Sequence, residues 1–65
     1  MEIEVNQKEI IVPEDFAIKD LLKHLNYTRS VAIWVNGKQL LMAEYNDYKI
    51  NNKDTIRIIK PLGGG

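Results

Sequence analysis

Cysteine is absent from this sequence of 65 residues. The chain therefore has no disulfide framework, no thiolate metal site and no thiol nucleophile. If the protein handles sulfur or acyl chemistry, the reactive group must be something other than a side-chain sulfur. A chain of this length makes one domain, near the lower size limit for a core that folds without disulfides or metals.

The sequence also lacks an excess of charge and any long apolar run. Nine Lys and Arg residues balance nine Asp and Glu residues, and they alternate along the chain, whereas nucleic-acid binding needs concentrated positive charge. No apolar run approaches the length of a membrane span, and the first residues have the alternation of a strand instead of the pattern of a signal peptide. We therefore expect no nucleic acid or membrane partner, and a cytoplasmic location.

Glycine is scarce except at the end of the sequence, where three of the four glycines occupy positions 63–65. Glycine loses the most backbone entropy on ordering and buries no side chain, so such a run packs poorly. Without Cβ atoms, however, a terminal segment is slim enough to thread a narrow site in another protein. A fraying terminus or an expression remnant would produce the same run, so the rest of the chain must decide between these interpretations.

Alternating polar and apolar residues predict a β-hairpin at the start of the chain. Residues 2–5 alternate, residues 6–8 have the composition of a turn, and residues 9–12 form the returning strand, which Pro13 stops. Four apolar side chains are expected to face inward: Ile3, Val5, Ile10 and Val12.

A short amphipathic helix is predicted next. The apolar residues of segment 18–25 recur at i, i+3, i+4 and i+7, which places them in one stripe. They are Ile18, Leu21, Leu22 and Leu25. Asn26 is suited to a left-handed stop at the end of the helix.

A second hairpin is predicted in the middle of the chain. Residues 31–35 form a β-rich run that ends in Asn36 and Gly37, the strongest short hairpin signal that a sequence offers. Residues 38–42 would form a short partner strand. Residues 43–49 have no clean period, and we expect a turn or one helical turn there.

A last strand is predicted over residues 55–60, with Ile56 and Ile58 facing inward. One short helix covers only one face of a small sheet, which places the chain in the α+β class. A helix between two strand pairs leaves the first and last strands free to lie parallel at the centre of a mixed four- to five-stranded sheet. This is the ubiquitin-like β-grasp topology. We expect a β-grasp domain over residues 1–60 and a flexible glycine tail over residues 61–65.

Four segments carry a likeness to one family: the opening strand (1–6), the helix start (13–22), the strand and turn VAIWVNG (31–37), and the closing strand with its diglycine (54–65). In this order they resemble the ThiS family of ubiquitin-like sulfur carriers, a relative of which is the small subunit of molybdopterin synthase. The sequence departs from the family at Ala17, where members often have a capping threonine worth about 1 kcal/mol. It also departs at residues 52–53, where members often have Asp-Gly. Both departures concern stability.

The resemblance implies that the terminus carries sulfur. An E1-like adenylyltransferase of the ThiF type would join the Gly65 carboxylate to AMP, consuming ATP, and a persulfide would displace AMP to leave a thiocarboxylate. Gly63 and Gly64 would let the tail thread into the enzyme. The sulfur would come from a donor such as a cysteine desulfurase and pass to a thiazole synthase of the ThiG type, or to another acceptor. The chain would bind no cofactor and act as a protein co-substrate.

Five residues are candidates for partner binding. Trp34 and Ile59 have the outward phase of their strands, and Leu62 lies in the spacer before the glycines. Exposed apolar clusters of this kind are typical interface anchors. Arg57 and Lys60, close to the tail, are candidates for steering the chain onto an acidic groove of an enzyme. Each also has an ordinary interpretation, because a strand-surface tryptophan covers its neighbours and surface cations are common.

The histidine and the tyrosines suggest no chemistry of their own. His24 follows Asp20 by one helical turn, but no nucleophile or metal partner accompanies the pair, and a helix C-terminus favours a protonated imidazole without any function. We interpret His24 as solvent-facing. Tyr27, Tyr45 and Tyr48 are expected at the sheet edges or the core ends.

Several functions remain open from the sequence. A carrier for molybdopterin or another sulfur-containing product needs the same activated tail, as does a ubiquitin-like modifier that forms amide bonds with lysines. A plain β-grasp interaction module would not use its glycines. Thiamine is favoured over molybdopterin because the chain is compact. The lack of paired carboxylates, of a nucleophile–base set and of a phosphate loop argues against a stand-alone enzyme.

Overall fold

The computed structural model describes residues 1–60, which form a five-stranded mixed sheet and one α-helix. The strands are β1 (Glu2–Val5), β2 (Lys8–Ile11), β3 (Ala32–Val35), β4 (Lys38–Gln39) and β5 (Thr55–Ile59), and the helix is α1 (Ile18–His24). A 3₁₀ turn, Met42–Glu44, lies between β4 and β5. Within these residues, no helix has the length and apolar character needed to cross a membrane.

The strands lie in the order β2-β1-β5-β3-β4. β1 and β5 are parallel neighbours at the centre, while β2 pairs with β1 and β3 pairs with β5 in antiparallel fashion. This is the predicted β-grasp topology, and the α+β class is confirmed. Because β5 is the central strand, it ends in the middle of the sheet and not at an edge.

One face of the sheet packs against α1 and forms the core. Every second residue of β1, β3 and β5 is buried on this face: Ile3, Val5, Ile33, Val35, Ile56 and Ile58. The predicted stripe of α1 is buried against them through Ile18, Leu21 and Leu22, with Leu25 half-buried just beyond the helix. Val12 is buried as predicted, and Ile10 is half-buried.

Local hydrogen bonds fix both ends of α1. Ala17 provides no side-chain cap, but Asp20 satisfies one donor because its carboxylate accepts a hydrogen bond from the Ala17 N–H at 2.9 Å. At the other end, Asn26 has a φ of 61°. The Tyr27 N–H then donates to the Leu22 carbonyl at 2.8 Å, which is the Schellman arrangement. The predicted left-handed stop at Asn26 is confirmed.

The turn between β3 and β4 has the predicted geometry, but β4 is shorter than predicted. Asn36 and Gly37 have φ values of 51° and 85°, the mirror-image turn that matches the twist of a hairpin. The partner strand predicted over residues 38–42 contains two residues. The Leu40 N–H still donates to the Ile33 carbonyl at 2.9 Å, but the chain then turns away into the 3₁₀ turn Met42–Glu44. The Glu44 carboxylate caps the start of this turn by accepting a hydrogen bond from the Leu41 N–H at 2.8 Å.

A buried carboxylate, which the sequence analysis did not single out, joins this turn to the start of β5. Asp54 is 7% exposed. Its Oδ1 accepts a hydrogen bond from Asn36 Nδ2 at 2.9 Å, and its Oδ2 accepts one from the Asn51 N–H at 2.8 Å. The Asn36 Oδ1 accepts in turn from the Thr55 N–H at 2.9 Å. This network fixes the point at which β5 enters between β1 and β3.

Candidate functional site

The candidate site is the end of the sheet at which β5 finishes, because the sequence assigns the function to the residues that follow. β5 ends at Ile59. The predicted tail residues lie outside the described residues: Leu62, Gly63, Gly64 and Gly65. We use the term exit end for the surroundings of this strand end, formed by the β1–β2 turn at residues 6–7, the loop at residues 27–31 and Lys60.

The β1–β2 turn holds the last part of β5 in place. Asn6 Oδ1 accepts a hydrogen bond from the Ile58 N–H at 2.8 Å, and Asn6 Nδ2 donates to the Ile58 carbonyl at 3.2 Å. This side-chain amide continues the parallel ladder where the backbone of β1 turns away, since Asn6 has a φ of 49°. The strand that leads to the tail is therefore fixed up to its penultimate residue.

Replacing Asn6 by alanine should loosen the end of β5. Two hydrogen bonds are lost and alanine must adopt a positive φ, which together cost about 1–2 kcal/mol of unfolding free energy. The local readout is hydrogen exchange at the Ile58 amide, which should accelerate. Gln7→Ala is the matched control, because Gln7 is in the same turn with a φ of 71°. Equal acceleration at Ile58 in both variants would show that backbone strain, and not the Asn6 amide, controls the strand end.

The uncovered face of the sheet brings together three predicted docking residues, Trp34, Arg57 and Ile59. Trp34 lies directly opposite Arg57 on β5, and Ile59 lies opposite Ala32 in the next pair on the same face. Ile59 is 44% exposed, Arg57 is exposed, and Trp34 is half-buried. We call these three residues the open-face patch. It reaches the exit end through Ile59.

Lys60 does not join the open-face patch. Its ammonium group lies 5.5 Å from the centre of the Tyr27 ring, in the loop that follows α1. Arg57, in contrast, has the outward phase of β5 and pairs with Trp34. The structure therefore separates two cations that the sequence analysis grouped by their closeness to the tail.

The uncovered face is divided by charge. The half with the open-face patch carries the cation Arg57. On the other half, β1 and β2 contribute Glu2, Glu4 and Glu9, with Glu4 directly opposite Glu9. Lys53 forms an ion pair with Glu2. The hydrogen bond from Lys53, and then its charge, lower the pKa of Glu2, while the same contact raises the pKa of Lys53. A partner that covers the whole face must therefore present opposite charges at its two ends.

The remaining candidates have structural contacts. The His24 ring is exposed and meets the Phe16 ring edge to face, with 6.2 Å between the ring centres. Tyr45 is buried, and its hydroxyl donates to the Val31 carbonyl at 2.9 Å, so it closes one end of the core. Among residues 1–60, no group of His, Asp and Glu side chains is placed to hold a metal ion.

These contacts make the exit end a support for the residues that follow. β5 is held by both neighbouring strands and by Asn6, with the open-face patch on one side and the Lys60–Tyr27 contact on the other. Such an arrangement can present a terminal segment to a second protein and offer that protein a surface to hold.

Comparison with known proteins shows that the chain is similar to thiamine biosynthesis proteins. The model of the ThiS family matches residues 1–65. A crystal structure of a thiamine biosynthesis protein (ThiS) from Geobacter metallireducens is similar, with a TM-score of 0.86, 25% sequence identity and 100% of both chains covered. The solution structure of a thiamine biosynthesis protein from the same organism has a TM-score of 0.81 and 25% identity, covering 100% of this chain and 88% of that chain. Among curated proteins no match is found.

Proposed function

Since the chain belongs to the ThiS family, we propose that it is a sulfur carrier of thiamine biosynthesis. Its working group is the Gly65 carboxylate. An E1-like adenylyltransferase of the ThiF type activates this group, a sulfur donor converts it to a thiocarboxylate, and a thiazole synthase of the ThiG type receives the sulfur. The observation that carries the proposal is the family match over the whole sequence, including the glycines at positions 63–65.

The carboxylate needs activation because it is a poor electrophile and oxide is not a leaving group. Attack of the carboxylate on the α-phosphorus of ATP forms an acyl adenylate and releases pyrophosphate. A persulfide then displaces AMP and forms an acyl disulfide, and a thiol that cleaves its S–S bond leaves the thiocarboxylate. The carrier contributes only its terminal carboxylate to these steps, which agrees with the absence of cysteine.

The fold supports a presenting role. β5 is paired on both sides, and the Asn6 amide binds Ile58, so the end of β5 has a fixed position relative to the open-face patch. A partner that binds the patch therefore has the strand end that leads to the tail at a defined distance. Fixing the two relative to each other reduces the freedom that must be lost when the tail enters an active site.

Reconstitution tests the pathway. The purified chain, a ThiF-type adenylyltransferase, ATP, a persulfide donor and a ThiG-type synthase with its substrates should form the thiazole product only when the chain is present. A variant that lacks residues 64–65 is the control, because it keeps every described residue. Product formation with this variant would contradict the carrier role. Thiocarboxylate formation without thiazole would direct the sulfur to another acceptor, such as molybdopterin synthesis. Amide conjugates with other proteins would instead indicate a modifier.

Trp34→Ala should weaken the productive encounter with the adenylyltransferase. Buried aromatic anchors at interfaces typically contribute about 2 kcal/mol or more, so KM for the chain should rise at least about tenfold while kcat changes little. Thr55→Ala is the matched control, since Thr55 is exposed on the same face but opposite Glu4. If both variants retain the wild-type KM, Trp34 only covers its neighbours on the sheet.

A further inference from the structure

A groove on the helix side of the molecule carries positive charge that the proposed function does not use. The groove has a volume of about 270 Å³ and lies between α1, the loop that follows it and Tyr45. Three of its lining residues are cations: Lys19, Lys23 and Arg29. We call it the basic groove.

The Schellman motif of α1 shapes the basic groove. Lys19 and Lys23 are one helical turn apart, so they lie on the same side of α1. The hydrogen bond of 2.8 Å from the Tyr27 N–H to the Leu22 carbonyl folds the chain back at the end of α1. Leu22 and Tyr27 then line the groove together with the two lysines. The groove is thus a product of how α1 ends.

The cations of the basic groove have no carboxylate partner within residues 1–60. The Arg29 guanidinium donates to two neutral acceptors, Asn46 Oδ1 at 2.6 Å and the Met42 carbonyl at 3.4 Å. The ion pairs of the described chain involve other cations: the Met1 ammonium, Lys49 and Lys53. No Asp or Glu lines the groove. The charge is therefore local and unneutralised in a chain whose formal net charge is zero.

Two nearby carboxylates are engaged elsewhere. Asp20, which lies between the lysines in sequence, accepts a hydrogen bond from the Ala17 N–H at 2.9 Å. Glu44, two residues after Met42, accepts one from the Leu41 N–H at 2.8 Å. The local backbone thus holds both carboxylates in capping contacts. An anion that enters the groove meets cations above an apolar floor.

The basic groove adjoins the exit end. Tyr27 lines the groove and also carries the Lys60 ammonium 5.5 Å from its ring centre. Lys60 directly follows β5 and precedes the tail. It therefore adds a fourth cation to those of the basic groove and extends them, as a positive strip, to the end of the described chain. A protein that holds the tail therefore has this strip within reach.

We propose that the basic groove docks an acidic segment of a protein that handles the tail. Carboxylates of the segment pair with Lys19, Lys23 and Arg29, and an apolar side chain among them packs on the half-buried ring of Tyr27. The inference rests on the proposed function for the role of the partner, but recognition of an acidic peptide does not depend on it. The groove is on the helix side of the sheet and the open-face patch is on the other, so the two surfaces do not compete.

A titration of the isotope-labelled chain with a synthetic peptide tests the recognition directly. The probe contains one leucine flanked by glutamates. Amide shifts should concentrate at Lys23, Thr28 and Arg29 and weaken as salt is added. The double variant Lys19→Gln and Lys23→Gln should bind the peptide about threefold to tenfold more weakly.

The control for this titration removes the same charge outside the groove, with Lys38→Gln and Lys49→Gln. It should bind the peptide as the wild type does. Equal weakening in both double variants, or shifts located elsewhere, would overturn the proposal. Inorganic phosphate at matched ionic strength is a further arm. If phosphate displaces the peptide or produces the same shifts, the groove is a general anion site and the acidic segment is not its ligand.

Enzyme kinetics separates this inference from the proposed function. With the ThiF-type and ThiG-type enzymes, the Lys19→Gln and Lys23→Gln variant should raise KM for at least one of them by about threefold to tenfold, with kcat unchanged. If the wild type is adenylated but neither KM changes, the docking inference is wrong and the carrier function stands. If the wild type is not adenylated at all, the carrier function fails, and the peptide titration alone decides on the groove.

Discussion

A valine in place of Gly65 should abolish adenylation of the chain and leave its fold intact. In the proposed function the terminal carboxylate reaches the α-phosphorus of ATP through a site that admits a backbone without side chains. A branched side chain on the reacting residue obstructs this approach, and a misplacement of the reacting atoms by about 1 Å costs on the order of 100-fold in rate. The core cluster lies within residues 1–60, so folding should be unaffected.

Exchange of labelled pyrophosphate into ATP measures this adenylation, and an NMR spectrum verifies the fold of the variant. Gly63→Val is the matched control, because it adds the same bulk two residues before the reacting carboxylate. Gly63→Val should lose less of the exchange rate than Gly65→Val, since two glycines suffice to bring the terminus into a narrow site. Normal exchange by Gly65→Val would contradict the threading argument.

Removing the Asp54 carboxylate should cause the largest loss of stability among the polar side chains discussed above. In Asp54→Ala the Asn36 amide and the Asn51 N–H both lose a charged acceptor at partly buried sites. A hydrogen bond to a charged group contributes about 1.5–3 kcal/mol, and water replaces part of this at partly buried donors, so we expect a loss of about 2–4 kcal/mol in the free energy of unfolding. For a domain of this size each kcal/mol lowers Tm by roughly 4–8 °C.

Two further variants show whether the network causes this loss. Asp54→Asn keeps the shape and one acceptor but turns an amide NH₂ toward a donor, so an intermediate loss is expected. Asp47→Ala removes an exposed carboxylate and should change stability little. Thermal unfolding of the three variants gives the comparison. If Asp54→Ala and Asp47→Ala unfold at the same temperature, the buried network does not stabilise the entry of β5.

Elements that depend on a local pattern could be predicted from the sequence. The apolar stripe of α1 and the turn at Asn36 and Gly37 are both determined by residues only a few positions apart in sequence. Together with the order of the strands along the chain, they define the β-grasp topology. The extent of β4 could not be predicted in this way. Residues 40–42 are all apolar and show no alternation that marks a strand end, and the 3₁₀ turn that follows is capped by the Glu44 carboxylate, a contact that the apolar pattern does not reveal.

The polar contacts that hold the two ends of β5 were not predictable, because their partners are far apart in sequence. Asn6 binds Ile58 across 52 positions, and Asn36 binds Asp54 across 18. Such pairs become visible only when the register of the sheet is known. The same holds for the basic groove, where Arg29 meets the lysines of α1 only after the Schellman motif has folded the chain back.

The face of the sheet on which Lys60 lies, in contrast, could be predicted from the sequence. Strict alternation from Ile56 and Ile58 gives Lys60 their phase, opposite to that of Arg57. The prediction that Arg57 and Lys60 act together used their distance from the glycines instead. Phase along a strand is the better guide, because a shift of one residue moves a side chain to the other face of the sheet.

The intact mass of the chain is the most direct test of the claim that Gly65 carries sulfur. After incubation with the ThiF-type adenylyltransferase, ATP and a persulfide donor, the mass should rise by the difference between one sulfur and one oxygen. Because the sequence has no cysteine, a thiol-alkylating reagent should then label only the peptide that ends at Gly65. Without ATP the mass should stay unchanged. An unchanged mass with enzyme, ATP and donor all present would contradict the carrier function.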